Sequence, residues 1–173
     1  MKNRYFLRSL LATVGSALVM AQPAFANTVS ATFNVTVTIQ KTCNVTAGAP
    51  SNISMGTVAS TATNVLGNST ITVYCSKTTP YYVGLAPSNG STTGAGTMAG
   101  TGANTDTVAY QLSSTTGPSG TVWGNTATAT AVGNGVSGTG SGANQTLTVY
   151  ATAPSANFTP DVYTDTVAVN VNY

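Results

Sequence analysis

The stretch Asn27–Gln40, NTVSATFNVTVTIQ, alternates strictly between apolar and polar residues. Every even position from 28 to 40 is Thr, Ser, Asn or Gln, and the odd positions carry Val29, Ala31, Phe33, Val35, Val37 and Ile39. Because successive side chains of a strand point to opposite faces, the pattern predicts a β-strand with one apolar and one polar face. At about 3.3 Å per residue it would extend for roughly 40 Å, well beyond a typical strand.

The segment before this strand has the three parts of a secretory signal peptide. Met1–Arg8 is basic, Ser9–Met20 is uncharged and mostly apolar, and the small residues of Ala24–Ala26 follow. This order predicts cleavage between Ala26 and Asn27. A transmembrane anchor would need about 20 apolar residues, and this run has twelve. We therefore expect no membrane insertion of the mature chain.

Removal of residues 1–26 changes the charge of the protein. The mature chain keeps two cations, Lys41 and Lys77, against three aspartates, a net charge of −1. So few cations leave no basic surface for a phosphate backbone or an anionic lipid, which excludes nucleic-acid binding. The abundance of Thr, Ser, Asn, Gly, Ala and Val and the scarcity of good helix formers favour β structure in one domain.

The mature chain contains two cysteines, Cys43 and Cys75. Export places them in an oxidising compartment, where a disulfide between them is the expected state. It would close a loop of about 33 residues and stabilise the fold by about 3–4 kcal/mol on the chain-entropy argument. A metal pair or a nucleophilic cysteine would require histidine or clustered ligands, and the chain has no histidine.

Further strands are predicted from alternation and from the turn residues between them. They are Thr42–Thr46, Asn52–Val58, Ser69–Cys75, Tyr81–Ala86, Thr107–Leu112, Thr121–Val132, Gln145–Ala151 and Asp161–Tyr173. Ser69–Cys75 and Tyr81–Ala86 are close enough to form a hairpin. Ser88–Gly102 and Gly133–Asn144 are rich in Gly, Ser and Thr without periodicity, and we interpret them as surface loops. The series predicts an antiparallel, immunoglobulin-like β-sandwich.

The two ends of the mature chain need a joint explanation. The last apolar alternation runs through Tyr163, Val167, Val169, Val171 and Tyr173 without a closing strand after it. A strand left without a neighbour can receive one from another chain, as in donor-strand complementation. Six apolar side chains of Asn27–Gln40 buried in that way would contribute roughly 10 kcal/mol before ordering costs. Alternation alone leaves it equally open that this strand pairs within its own sandwich.

Three stretches resemble the spore coat U domain family, which includes the major subunits of Csu-type archaic chaperone–usher pili. They are Val35–Val45 (VTVTIQKTCNV), Ile71–Cys75 (ITVYC) and Pro160–Tyr173 (PDVYTDTVAVNVNY). The last follows the family ending P-x-x-Y-x-D-x-[LV]-x-V-x-[VI]-x-[YF]. Thr107–Leu112 is also similar to the V-A-Y strand of the family.

The resemblance implies a structural pilus (fimbrial) subunit with an incomplete immunoglobulin-like sandwich that lacks its last strand. Residues 1–26 would be the signal peptide, 27–40 the donor strand and 41–173 the pilin domain. A periplasmic chaperone would fill the groove before an outer-membrane usher exchanges it for the next subunit's strand. The donor face would be Val29, Ala31, Phe33, Val35, Val37 and Ile39; Val167, Val169, Val171 and Tyr173 would border the groove, and Cys43 and Cys75 would form the family disulfide.

The resemblance further implies export through the periplasm to the cell surface. There the chain would assemble with copies of itself and other pilus subunits, and the pilus would support surface attachment and biofilm formation. A tip adhesin would need an additional receptor-binding domain, for which the length leaves no room. The alternative is a self-sufficient secreted β-sandwich that acts as a coat or surface-binding protein.

An enzyme is disfavoured because the chain lacks the residues of a catalytic site. It has neither histidine nor glutamate, and its acidic residues are Asp106, Asp161 and Asp165. On one strand, Asp161 and Asp165 would lie on the same face roughly 13 Å apart, farther than the carboxylate pairs of glycosidases. Phosphate-binding loops, nucleophile elbows and metal-ligand clusters are absent from the sequence. We therefore expect no catalysis, metal or cofactor.

Overall fold

The computed structural model describes residues 25–173, which form an all-β fold. Its strands are β1 (Cys43–Thr46), β2 (Thr63–Cys75), β3 (Pro80–Pro87), β4 (Ala95–Ala99), β5 (Thr107–Ser113), β6 (Val136–Thr139), β7 (Asn144–Ser155) and β8 (Val167–Asn172). A 3₁₀ turn at Ala49–Ser51 is the helical structure of this range, and none of it is long and apolar enough to cross a membrane. The predicted signal peptide lies outside the described residues, except for its last two positions.

The strands form two antiparallel sheets. One has five strands in the order β1-β2-β7-β5-β4, and the other has three in the order β6-β3-β8. The core-facing residues of both sheets belong to one hydrophobic cluster. The predicted antiparallel β-sandwich is therefore confirmed.

Trp123 belongs to the core that the two sheets form together. Val73 and Leu112 of the five-stranded sheet and Val83 and Leu85 of the three-stranded sheet are at most 1% exposed. Trp123 is equally buried, and its indole N–H donates a 2.8 Å hydrogen bond to the carbonyl oxygen of Val83. The large ring is thus buried with its single polar atom satisfied.

Two buried tyrosines lie across glycines of the neighbouring strand. Tyr110 of β5 faces Gly96 of β4, and Tyr81 of β3 faces Gly138 of β6. A Cβ atom built at Gly96 would lie 2.1 Å from the Tyr110 ring, and one at Gly138 would lie 2.3 Å from the Tyr81 ring. Glycine is required at both positions because the ring occupies the space of a side chain.

The interpretation of the glycine-rich segments as loops was wrong in part. Ser88–Gly102 contains β4, and Gly133–Asn144 contains the whole of β6. Both strands are short, and glycine interrupts their apolar alternation, so the period-two signal is lost. In each strand a tyrosine ring from the facing strand, β5 or β3, fills the space beside the glycine.

The predicted hairpin between Ser69–Cys75 and Tyr81–Ala86 was also wrong. β2 pairs with β1 and β7, whereas β3 pairs with β6 and β8 in the other sheet. Ser76 and Thr79 stabilise the crossing through a 2.8 Å hydrogen bond between their hydroxyl groups. The short connection is a link between the two layers of the sandwich.

Two other predicted strands, Asn52–Val58 and Thr121–Val132, are irregular in the structure. Ile53 and Met55 nevertheless pack against the core, and a Cβ at Gly67 of β2 would lie 2.7 Å from Ile53 Cγ2. The backbone around Trp123 is hydrogen-bonded to several separate partners instead of one strand. In both segments the alternation reflects burial of apolar side chains without a regular ladder.

Residue contacts divide the chain into two units, with the boundary after Val37. Residues 25–42 belong to no strand. In this segment the apolar side chains of Val29, Phe33, Val35, Val37 and Ile39 are between 83% and 94% exposed, and Ala31 is exposed as well. The division into a donor strand at 27–40 and a pilin domain at 41–173 stays a prediction.

Candidate functional site: the open edge at β8

β8 lies at the edge of the three-stranded sheet. It pairs with β3 from Val167↔Pro87 to Asn172↔Tyr82, and among the strands of residues 25–173 it has no second neighbour. Such an edge presents backbone N–H and C=O groups that another strand can pair with.

The core beneath β8 is incompletely covered. Val167, Val169 and Val171 face the hydrophobic core but remain partly exposed. Their neighbours on β3, Val83 and Leu85, are at most 1% exposed. The difference arises because β8 has a neighbour on one side, so its valines are open toward the other.

β1 is the nearby edge of the five-stranded sheet, and a disulfide holds it there. Cys43 of β1 is bonded to Cys75 of β2, directly opposite in the register. The predicted disulfide is therefore present. Cys43 and Val45 are partly buried against the core, as the valines of β8 are. The two edge strands thus share an incompletely covered apolar surface.

β1 and β8 approach each other closely at this side of the sandwich. Some of their Cα atoms lie within 8 Å of each other, and Lys41 Nζ lies 5.9 Å from the centroid of the Tyr173 ring. A strand placed between two neighbours separates them by about 9–10 Å, twice the spacing of paired strands. Entry of a strand between β1 and β8 therefore requires this gap to widen.

The structure brings the predicted groove residues together. Val167, Val169 and Val171 share the core-facing side of β8, and Tyr173 follows the strand with 39% of its surface exposed. Their role in receiving a strand, the donor role of the apolar residues in 27–40 and the cleavage at Ala26–Asn27 stay predictions.

Asp161 fastens the segment that leads into β8. Its carboxylate accepts hydrogen bonds from the Thr101 backbone N–H at 2.7 Å and from Asn104 Nδ2 at 2.9 Å, and also from the Thr101 hydroxyl. The hydroxyl and amide donors favour the charged form, so they hold the pKa of Asp161 well below its usual range. The segment is thereby attached to the loop between β4 and β5.

Two further contacts fasten the same segment. The Tyr163 hydroxyl donates a 2.7 Å hydrogen bond to the Thr159 carbonyl oxygen, the arrangement of a tyrosine corner at the start of an immunoglobulin-like strand. Asp106 accepts a 3.0 Å bond from the Thr159 backbone N–H, which lowers the pKa of Asp106. Both bonds tie residue 159, at the start of the segment, in place.

Asp165 receives a hydrogen bond from a buried tyrosine. The hydroxyl of Tyr110, which is 6% exposed, donates to Asp165 Oδ2 at 2.6 Å. Burial raises the pKa of Tyr110, and the hydrogen bond and charge of Asp165 raise it further. The predicted strand Asp161–Tyr173 begins only at Val167, so Asp161 and Asp165 do not lie on one strand.

These anchoring roles were missed by sequence reasoning. All acidic residues of the chain, Asp106, Asp161 and Asp165, hold the approach to β8. The P-x-x-Y-x-D motif at Pro160–Asp165 identified the segment, but it did not indicate which residues the segment is hydrogen-bonded to. In residues 25–173, no group of three or more His, Cys, Asp or Glu side chains is arranged to hold a metal ion.

We expect acid to destabilise the fold because of these carboxylates. The pKa values of Asp106 and Asp161 are lowered in the folded state, so the stability these two residues contribute is present above the unfolded pKa of about 4 and is lost as the pH falls below it. Urea denaturation should give an unchanged free energy of unfolding between about pH 7 and 5 and a decrease below about pH 4. Asp161→Asn should be less stable at neutral pH and less sensitive to acid. Equal acid sensitivity in the variant and the wild type would contradict this assignment.

The fold and the site together define an immunoglobulin-like β-sandwich with an open edge, a disulfide beside it and a tyrosine corner before its last strand. The sequence profile of the Spore Coat Protein U domain matches residues 29–170. The chain therefore belongs to the Spore Coat Protein U domain family. A search of the curated proteins finds no match.

A solved structure shares the fold. It is a chain of the CsuC–CsuE chaperone–tip adhesion subunit pre-assembly complex from the archaic chaperone-usher Csu pili of Acinetobacter baumannii. The superposition has a TM-score of 0.51 at 21% sequence identity, and it covers 79% of the present chain and 41% of the other. The present chain thus spans less than half the length of this relative, and the likeness concerns the fold alone.

Proposed function

We propose that the protein is a structural subunit of a chaperone–usher pilus and that it polymerises by donor-strand exchange. The observation that carries the proposal is the free edge of β8, where Val167, Val169 and Val171 face the core but remain partly exposed. An additional strand would pair with the backbone of β8 and cover these side chains. The residue that follows the strand, Tyr173, borders the same edge.

The apolar face of residues 27–40 is the complement of this edge. It presents Val29, Ala31, Phe33, Val35, Val37 and Ile39 at every second residue, and the valines of β8 have the same spacing of roughly 6.6 Å. All six side chains are exposed in the isolated chain. Burying them against the core of another subunit would supply the free energy of assembly.

The same edge explains the need for partners during export. An uncovered sheet edge with apolar side chains promotes aggregation, so a periplasmic chaperone occupies it until an outer-membrane usher catalyses the exchange. The next subunit, a copy of this chain or another pilus subunit, then supplies the donor strand. The assembled pilus on the cell surface supports attachment and biofilm formation. The role is structural, with neither catalysis nor a cofactor.

Deletion of Asn27–Gln40 behind the retained signal peptide tests this proposal. Produced in the periplasm with the cognate chaperone, the shortened subunit should bind the chaperone but form no fibres, because it cannot complete the next subunit. Fibres are measured by electron microscopy and by the ladder of subunits on a gel. If the shortened subunit still polymerises, or folds stably alone as a monomer, the chain is instead a self-sufficient secreted sandwich.

A pair of point variants provides the matched control. Val37→Asp and Thr36→Asp each add one carboxylate to the same strand, but on opposite faces. Val37→Asp should prevent polymerisation because it would bury an unpaired charge. Thr36→Asp should leave fibres intact because its side chain stays on the polar face. Equal assembly of the two variants would contradict the predicted donor face.

A further inference from the structure

The segment before β8 crosses from one sheet to the other. Thr164 forms a two-way backbone bridge with Ala99 of β4, each N–H···O distance being 2.9 Å, in the five-stranded sheet. Val167 already pairs with Pro87 of β3 in the three-stranded sheet. The crossing is thus completed between residues 164 and 167, and Asp165 lies in it.

Packing in the core holds Tyr110, the hydrogen-bond partner of Asp165. The Tyr110 ring is buried in the core and lies across Gly96, where no side chain could be accommodated. Its hydroxyl donates to Asp165 Oδ2 at 2.6 Å, while Asp165 Oδ1 accepts a 2.7 Å bond from the Thr166 backbone N–H. One carboxylate therefore connects the five-stranded sheet to the residue that precedes β8.

We propose that Tyr110 and Asp165 are positioning residues, which set where β8 starts relative to the five-stranded sheet and hence the opening that a donor strand enters. The inference rests on the proposed function, since it concerns the same edge. Because β1 and β8 already approach within 8 Å, a small displacement of β8 changes whether the gap can admit a strand. The pair acts through β8 and does not itself contact the donor.

A polar cluster elsewhere provides a matched control. Asn134 accepts hydrogen bonds from the Thr126 backbone N–H and hydroxyl, at 2.9 and 2.8 Å, and its amide donates to the Thr92 carbonyl oxygen at 2.8 Å. None of these bonds involves a residue of β8. Asn134→Ala therefore removes a comparable set of polar contacts without touching the crossing.

The test compares Tyr110→Phe, Asp165→Asn, the double variant and Asn134→Ala in the full mature subunit. Amide hydrogen exchange of β8 should accelerate about 10-fold when the Tyr110–Asp165 bond is lost, while exchange in β2 stays unchanged. Uptake of a synthetic peptide of residues 27–40 should become about 10-fold faster in either single variant, because a less restrained β8 lets its gap to β1 widen. The double variant should show no further change, because both substitutions remove one interaction. Asn134→Ala should leave both measurements at their wild-type values.

Either of two results would overturn the inference. The first is wild-type exchange in β8 after loss of the bond. The second is an increase in the rate of peptide uptake in Asn134→Ala equal to that in Tyr110→Phe, which would make uptake a function of overall stability. Absence of peptide uptake by the wild type would contradict the proposed function instead, and the exchange measurement would still decide whether the pair positions β8.

Discussion

Replacing Trp123 by alanine is expected to lower the free energy of unfolding by about 3–5 kcal/mol, the range for large aromatic residues removed from a core. The side chain is 1% exposed, so its removal leaves a cavity between the sheets. It also leaves the buried carbonyl oxygen of Val83 without its 2.8 Å donor, which adds a desolvation cost. Urea denaturation monitored by circular dichroism measures the effect.

The neighbouring residue supplies a control for this change. Val122 is 42% exposed, and Val122→Ala should alter stability by at most about 0.5 kcal/mol. The loss of stability in Trp123→Phe should fall between those of Val122→Ala and Trp123→Ala, because phenylalanine keeps most of the ring volume but loses the hydrogen bond. A loss in Trp123→Ala no greater than in Val122→Ala would contradict the central place of the indole in the core.

Replacing both Cys43 and Cys75 by serine is expected to lower the free energy of unfolding by about 3–4 kcal/mol. The disulfide restricts the unfolded chain over a loop of about 33 residues, and in the folded protein it secures β1 beside the open edge. The double variant should also bind its chaperone less well, because β1 contributes Cys43 and Val45 to the uncovered apolar surface. Denaturation curves and co-purification with the chaperone measure the two effects.

Reduction of the wild type serves as the matched comparison. In the presence of dithiothreitol, the wild type should unfold at the same urea concentration as the double serine variant, and the variant should be insensitive to the reductant. If reduction leaves the stability of the wild type unchanged and the double serine variant is equally stable, the bond contributes nothing to the stability of the fold.

Much of the fold could be predicted because burial leaves a clear pattern in the longer strands. Ile71, Val73 and Cys75 of β2 and Val108, Tyr110 and Leu112 of β5 occupy every second position of their strands, and the structure buries each of them. β4 and β6 were missed because their inward positions include Gly96 and Gly138. A glycine carries no apolar signal, and its place in the core is filled by a ring from the facing strand.

The anchoring of β8 could not be predicted, because its partners are distant in sequence. Thr101 and Asp161 are separated by 60 residues, and Tyr110 and Asp165 by 55. Nothing in the alternation around Tyr110 distinguishes a tyrosine that donates to a carboxylate from one that only fills the core. Such a pairing depends on which strands become neighbours, and that is a property of the packed sandwich.

The sequence by itself determined that Asn27–Gln40 has one apolar and one polar face, since side-chain direction in a strand depends only on residue parity. It also determined that the chain ends in a second alternating stretch. Only the tertiary structure decided that β8 is an edge strand with partly exposed valines beside β1. Backbone N–H and C=O groups are the same in nearly every residue, so alternation specifies the faces of a strand but not the neighbours to which its edges are bonded.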